Sequence, residues 1–476
     1  MKNIFFAKLF VFIALSVLYS CKKDLSTVDP PVRPDVERTA EQQVLDSVYS
    51  KYKYLSYWES SIPSYNPISD LTDDFSNAKS LLSYLKNQTP VFNNFFNYPD
   101  RKGPIDSYSW IEDMGDDTDY SAKADLADGY GLFMAFDGDR NDSLFVMFVE
   151  GGSPAAKVGI KRGDKVMELQ GDKNMVYSNQ SKINQYVEER TLSIKIKSNN
   201  IEKSHNLTYT SYNIEPFQLG KVIVEKGTKT GYIALSSFEE LYSSGADNKM
   251  RKGIDSIFTV FATENISDLI VDLRYNGGGY VSSAIYLLNK IINSTGNGKL
   301  MFKYGVNKNL EKERNEGSRD FVDEVFDKSG GTTEIKKVVF LASEYTASAS
   351  EIVIVALKPY MDVKIVAYRG ATYGKPVGFF REDISDDIGL WAASFKIINA
   401  DNYTDYWDGI PADYPNTYDN IHKQFGDPSE DMTRKALDIL NTNSSMKAST
   451  RETLRSSASG NIKELNRIPP RNMLKK

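Results

Sequence analysis

Cysteine and histidine are nearly absent from this chain. Its 476 residues include one cysteine, Cys21, and two histidines, His205 and His422. A single thiol cannot close an intramolecular disulfide, and zinc sites built from several Cys or His ligands are not available. Cysteine-nucleophile chemistry is disfavoured as well, because Cys21 sits at the end of the N-terminal apolar segment. His205 lies in the polar, strand-edge stretch "EKSHNLTYT" and His422 in "DNIHKQFGD", so both read as surface histidines rather than bases. There is no excess of positive charge: 58 Lys and Arg face 64 Asp and Glu, for a formal charge of -6, which argues against nucleic acid as a partner. The phosphate-binding loop is missing, since "YGKP" lacks the Ser or Thr that should follow such a lysine. No tandem repeat or low-complexity tract is present.

The long apolar run is confined to the start. "IFFAKLFVFIALSVL", with Lys2 before it and Lys8 inside it, is a segment of signal-peptide type, too short for a confident spanning helix. It ends in "LYSC", which resembles the lipobox of bacterial lipoproteins, where the cysteine becomes the lipidated N-terminus after cleavage. The resemblance implies a signal peptide over 1–20 and a membrane anchor at Cys21 in a bacterial cell envelope. The following "KKDLSTVDPPVRPDVERT", with Pro30, Pro31 and Pro34, suits an extended tether over 21–40.

Beyond the tether the texture changes three times. Val44, Leu45, Val48, Tyr52 and Leu55, then Leu81, Leu82 and Leu85, recur at three to four residues and predict a helical N-terminal region within 41–127. Short glycine-punctuated strands follow over 128–205, including "YGLFMAF", "SLFVMFV" and "LSIKIK". "SPAAKVGIKRGDKVMEL" in this stretch resembles a PDZ domain. The upstream "GYGLF" resembles the PDZ carboxylate-binding loop, which makes Tyr130, Gly131, Leu132 and Phe133 the expected peptide-binding residues. Over 206–440 the runs "GYIALSSF", "DLIVDLR", "KKVVFLA" and "VKIVAY" alternate with the helix-like "NKMRKGIDSIFTVFA", "SSAIYLLNKII" and "ASEIVIVAL", which predicts a mainly parallel sheet with helical crossovers. The last segment, 441–476, reads as a polar, solvated tail.

One stretch of the third region invites chemistry. "YTASASE" places Ser348 and Glu351 at a helix start, where S-x-x-E is also a capping box. A serine nucleophile without a histidine needs another base, and a lysine serves when burial lowers its pKa toward neutrality. Lys375 stands 375 − 348 = 27 residues downstream in "YRGATYGKPVG", after a predicted helix and strand that return the chain to the same end of the sheet. "DLIVDLRYNGGG" offers Gly277 and Gly278 as backbone donors for an oxyanion, with Ala349 as a second donor.

"GYIALSSF", "DLIVDLRYNGGG", "TASASE" and "GATYGKPVG", in this order behind a PDZ-like segment, resemble the C-terminal processing peptidases, or tail-specific proteases. The similarity runs from about 128 to 427. It implies an α/β catalytic core of the ClpP/crotonase type, with parallel strands and crossover helices, beside a PDZ-like domain and a helical N-terminal region. It also implies Ser348 as nucleophile, Lys375 as general base, and Gly277 or Gly278 with Ala349 as the oxyanion hole. Substrates would be polypeptides engaged through their C-termini; no metal or organic cofactor is implied. The sequence departs from the family at Phe379, where many members carry a glutamine thought to orient the lysine. Two other classes remain open. One is a catalytically silent PDZ-containing adaptor. The other is a small-ester hydrolase, against which the missing G-x-S-x-G elbow counts.

Overall fold

The computed structural model describes residues 37–93, 101–113, 126–140, 142–243, 245–329, 331, 333–441 and 462–466. The expected signal peptide, Cys21 and most of the tether lie outside them, as does most of 442–476. Among the described residues no helix is long and apolar enough to cross a membrane.

The predicted apolar stripe becomes helix α1, Ala40–Leu55, which buries Leu45, Val48, Tyr49, Tyr52 and Leu55. Helix α2, Ala78–Lys86, is capped by Asn77, whose side chain accepts the Ser80 N–H at 2.8 Å. The helical texture ends there. Trp110–Asp113 forms strand β1, paired antiparallel with a strand near the end of the chain, and Trp110 stacks on Trp391 with ring centroids 5.0 Å apart. An aromatic and a β-branched residue side by side favour a strand once such a partner is present.

The second region supplies β2 (Leu132–Asp137), β3 (Ser143–Val149), β4 (Lys165–Leu169), helix α3 (Gln180–Glu188), β5 (Thr191–Ser198) and β6 (Ile201–Thr208). In β5 the alternation is plain, with Leu192, Ile194 and Ile196 buried and the residues between them turned outward. Strand β2 is buried on both faces. Leu132, Met134 and Phe136 fill the region's own core, while Phe133 and Ala135 pack with Phe148, Tyr275, Tyr345 and Ile421. That double burial explains why "LFMAF" reads as an unbroken apolar run.

The third region opens with β7 (Phe217–Glu225) and β8 (Thr228–Leu235), then alternates α4 (Lys249–Thr263), β9 (Asp268–Asp272), α5 (Val281–Ile291), β10 (Leu300–Val306), β11 (Lys337–Ala342), α6 (Ala349–Leu357) and β12 (Asp362–Ala367). The central sheet has the order β12-β11-β9-β8-β7. Its pairings β8–β9, β9–β11 and β11–β12 are parallel; only the edge strand β7 is antiparallel. One face buries Leu269, Val271, Val338 and Phe340 among residues of α4, α5 and α6. The other buries Ile270, Val339 and Leu341 against Met432, Ala436, Leu437 and Leu440 of helix α7, Asp431–Asn441. Strands covered on both sides produce the near-continuous apolar runs seen in the sequence. Strands β13 (Val377–Asp383) and β14 (Ile388–Asn399) pair with each other, and β14 also pairs with β10 and β1.

The tail departs from expectation. Ile462–Glu464 forms strand β15, which adds to β2 at the edge of the second region's sheet, giving the order β15-β2-β3-β4-β5-β6. A solvated tail has no reason to bury an apolar side chain, yet Leu465 is buried in that region's core.

Candidate active site

Three loops leave the carboxyl ends of the parallel strands β9, β11 and β12 side by side, where open α/β sheets form their crevices. Short polar groups stitch them together. Thr346 Oγ1 donates to Leu273 O at 2.8 Å, Ser350 Oγ donates to Asn276 O at 3.0 Å, and the Tyr373 N–H donates to Thr346 O at 2.9 Å.

Ser348 is the N-cap of α6 and has φ +61°, ψ −120°, a conformation rare for a residue with a side chain. Glu351, one turn on, accepts the Ser348 N–H at 2.8 Å, the glutamate arm of the capping box. The Ser348 hydroxyl, however, is fully buried and has no hydrogen-bond partner among the described residues. A buried hydroxyl left unbonded on a strained backbone costs stability, and such features concentrate at functional sites.

Glu351 does more than cap. The same Oε2 that takes the Ser348 N–H takes the Lys375 N–H, also at 2.8 Å, so the two amide nitrogens lie within twice that distance of each other. Its Oε1 accepts the Gly374 N–H at 2.8 Å and the Thr372 hydroxyl at 2.5 Å. Burial pushes the Glu351 carboxyl up, and these four donated bonds oppose that shift. The sequence marks Glu351 only as a cap; its grip on the lysine loop arises from contacts across 24 residues.

Lys375 is buried, 4% exposed. Burial lowers its ammonium from the ordinary value near 10.5 to about 7, with the Glu351 charge pulling the other way. Its Nζ lies 4.6 Å from the ring centre of Phe379 and 5.8 Å from that of Tyr108. Phe379, at the position where a glutamine is usual, thus forms one wall of the lysine's pocket. Tyr108 also fixes the loop, donating its hydroxyl to Gly374 O at 2.9 Å, and nothing in its own neighbourhood of the sequence signals this.

Gly278 lies against the serine. At φ +108°, a Cβ there would come within 2.7 Å of Ser348 Cβ and 3.1 Å of the Ala349 nitrogen. Only glycine fits. Its N–H donates to Asn276 Oδ1 at 3.0 Å, and Asn276 Nδ2 donates to Leu235 O at 3.2 Å, so the asparagine before the glycines holds the turn in place. Ala349 begins α6 immediately after Ser348.

Residues 229–415, which carry every one of these groups except Tyr108, match the model of peptidase family S41. That stretch is similar to the family. A "Probable CtpA-like serine protease" of Staphylococcus aureus is 24% identical to the chain over 276 residues, and its namesake in Staphylococcus epidermidis is 24% identical over 277. The matched stretch is 58% of this chain, which spans only half the length of those relatives. A Bacteroides fragilis structure named as a candidate S41 protease superposes with a TM-score of 0.63 at 20% identity, covering 86% of this chain and 98% of that one, and so shares the fold.

The S41 segment is tied to the second region by buried charge. Arg274, following β9, donates to Asp272, Asp419 and Glu430, all within 3.1 Å. Arg162 of the second region donates to Asp419, to Tyr275 Oη at 2.7 Å and to Met147 O at 2.9 Å. The residues predicted to bind peptide sit at the near end of β2. Tyr130 Oη bonds Glu189 O, and Gly131, at φ +62°, packs so closely on Ser153 that a Cβ would fall 2.1 Å from the serine Cβ. The two histidines, read from the sequence as surface residues, are each half-buried: His422 Nε2 is paired with Asp137 Oδ2 at 2.7 Å, and His205 lies on the edge strand β6.

Proposed function

We propose that this protein is a serine endopeptidase acting on unfolded or C-terminally exposed polypeptides, with Ser348 as nucleophile and Lys375 as general base. The observation that carries the reading is one buried carboxylate oxygen, of Glu351, that fixes the backbones of both residues, beside an unbonded serine hydroxyl and a lysine held near neutrality. Lys375 Nζ takes the Ser348 proton as Oγ bonds to the scissile carbonyl carbon. The developing oxyanion is received by backbone N–H groups of Gly277 or Gly278 and Ala349; donation from Gly278 requires release of its bond to Asn276. As the C–N bond breaks, the lysine returns the proton to the leaving amine, and water then opens the acyl-enzyme.

The second region acts as a PDZ-like module that accepts an extended chain along β2, the strand-addition mode. Cys21 serves as a lipid anchor in a bacterial cell envelope. The protein is expected to incorporate a labelled fatty acid during expression and Cys21→Ser to lose the label, whereas equal labelling of this variant would rule the anchor out.

Labelling by a fluorophosphonate probe and degradation of casein test the chemistry. Both should be lost in Ser348→Ala and in Lys375→Ala, and activity persisting in both variants would sink the assignment. The adaptor reading draws on the closed state of the site, where Ser348 is 0% exposed, and on Phe379 in place of glutamine. Peptide binding without labelling or turnover in the unaltered chain would favour it.

A further inference from the structure

Strand β15 lies antiparallel to β2, pairing Ile462 with Asp137, Lys463 with Phe136 and Glu464 with Ala135, and so runs toward the Tyr130–Phe133 loop. The Leu465 N–H donates to Met134 O at 2.9 Å. Asn466 then extends the ladder with its side chain: Oδ1 accepts the Met134 N–H at 2.9 Å and Nδ2 donates to Leu132 O at 2.8 Å. Leu465 is 7% exposed among Tyr130, Leu132 and Leu192. Beside it a cavity of about 470 Å³, lined by Tyr130, Gly131, Leu132, Tyr209, Leu465 and Asn466, continues along the loop. On its other side the segment touches the S41 loops, where the Tyr345 hydroxyl donates to the Glu464 carboxylate and Ile462 packs against the cluster holding Phe133, Tyr275 and Tyr345. Tyr345 is three residues before Ser348.

We propose that residues 462–466 are a built-in competitor for the β2 edge, so that an incoming polypeptide is admitted only when this segment leaves. The inference rests on the reading of β2 as a peptide-accepting edge. The contacts also define what the edge takes: an extended segment with a branched aliphatic residue at the Leu465 place and a carboxamide or carboxylate group next to it, able to meet Met134 N–H. Backbone pairing supplies attraction without regard to sequence, and the leucine pocket supplies selection. Twenty residues separate Asn441 at the end of α7 from Ile462, so a released segment stays tethered near its groove and returns as an intramolecular ligand. Release would also remove the Tyr345–Glu464 bond, one of the contacts made by the loop that carries the serine.

The test uses the full chain with Ser348→Ala, which prevents cleavage, and a fluorescent peptide copying residues 460–468. Leu465→Asp forces the tethered segment out of its apolar pocket and should tighten binding of this free peptide at least tenfold, read by anisotropy. Asn466→Ala, which removes two hydrogen bonds and leaves the core intact, should tighten it by a smaller factor and serves if Leu465→Asp fails to fold. In the chain with Ser348 restored, Asn466→Ala should raise kcat/KM on casein-derived peptides at least twofold. Equal peptide affinity with and without these changes, or no binding in any variant, would overturn the proposal. The binding arm does not depend on catalysis, so an absence of turnover would count against the peptidase reading and leave the competitor decided by affinity alone.

Discussion

Lys375→Met is expected to lower kcat/KM by about 10²–10⁴-fold, the usual contribution of a positioned general base, while making the protein more stable. Both effects come from burial. The proposed base must be a neutral amine at working pH, and burial favours that form by disfavouring the ammonium, which lowers its value to about 7. In the unfolded chain the same lysine titrates near 10.5. Between about 7 and 10.5 the unfolded state therefore holds a proton that the folded state lacks, and stability rises with pH across that window. Below pH 7 the lysine is charged in both states and its desolvation penalty is felt in full. Methionine, similar in length and uncharged, removes that penalty, with a gain on the order of 1–4 kcal/mol as for other buried charges replaced by apolar groups. Thermal unfolding at pH 6 and pH 9 should show the larger gain at pH 6. In the unaltered protein kcat/KM should climb with pH through about 7 and then level. A variant less stable than the parent at pH 6, or a flat rate profile from pH 5.5 to 9, would contradict a depressed, buried lysine.

Arg274→Ala should destabilise the fold by about 3–5 kcal/mol, the cost of stranding a buried charge by removing its partner. Three carboxylates surround this guanidinium, and the side chains of Asp272, Glu430 and the arginine itself are each 1% exposed. Deleting the cation leaves the buried Asp272 and Glu430 carboxylates without this charged partner. Burial alone would push Asp419 up, yet Arg162 and Arg274 hold its carboxyl at about 2. Its contribution to stability is complete above the unfolded value near 3.8 and fades as pH falls toward 2. The variant should therefore show a lower denaturant midpoint at pH 7 and a smaller further loss between pH 4 and 2 than the parent. Since Asp419 also receives Arg162, the second region should loosen from the S41 segment in step, giving faster amide exchange at Met147 and Tyr275. An unchanged midpoint would mean that the network carries no stability.

Much of this was written locally. The alternation of apolar strands and helices from "GYIALSSF" to "VKIVAY" predicts α4, β9, α5, β11, α6 and β12 within one or two residues of where they lie. Such signals survive in sequence because a strand or helix selects its residues by period and by capping chemistry, over distances of a few residues. The helix-start serine and the Asn-Gly-Gly-Gly turn were legible for the same reason. Less was legible before residue 128, where β1 depends on a partner strand almost three hundred residues away, and nothing around Trp110 names that partner.

By itself, the sequence determined which groups could do chemistry here. With one cysteine and two histidines in polar stretches, a nucleophile at Ser348 would need a lysine as its base, and Lys375 follows a predicted helix and strand that return the chain to the same end of the sheet. Only the tertiary structure decided what surrounds them: the Glu351 carboxylate joining both backbones, Phe379 and Tyr108 enclosing the amine, and Ile462–Glu464 laid along β2. Those are contacts between distant parts of the chain. Their strength comes from exclusion of water, which no stretch of sequence specifies until the elements around it have packed.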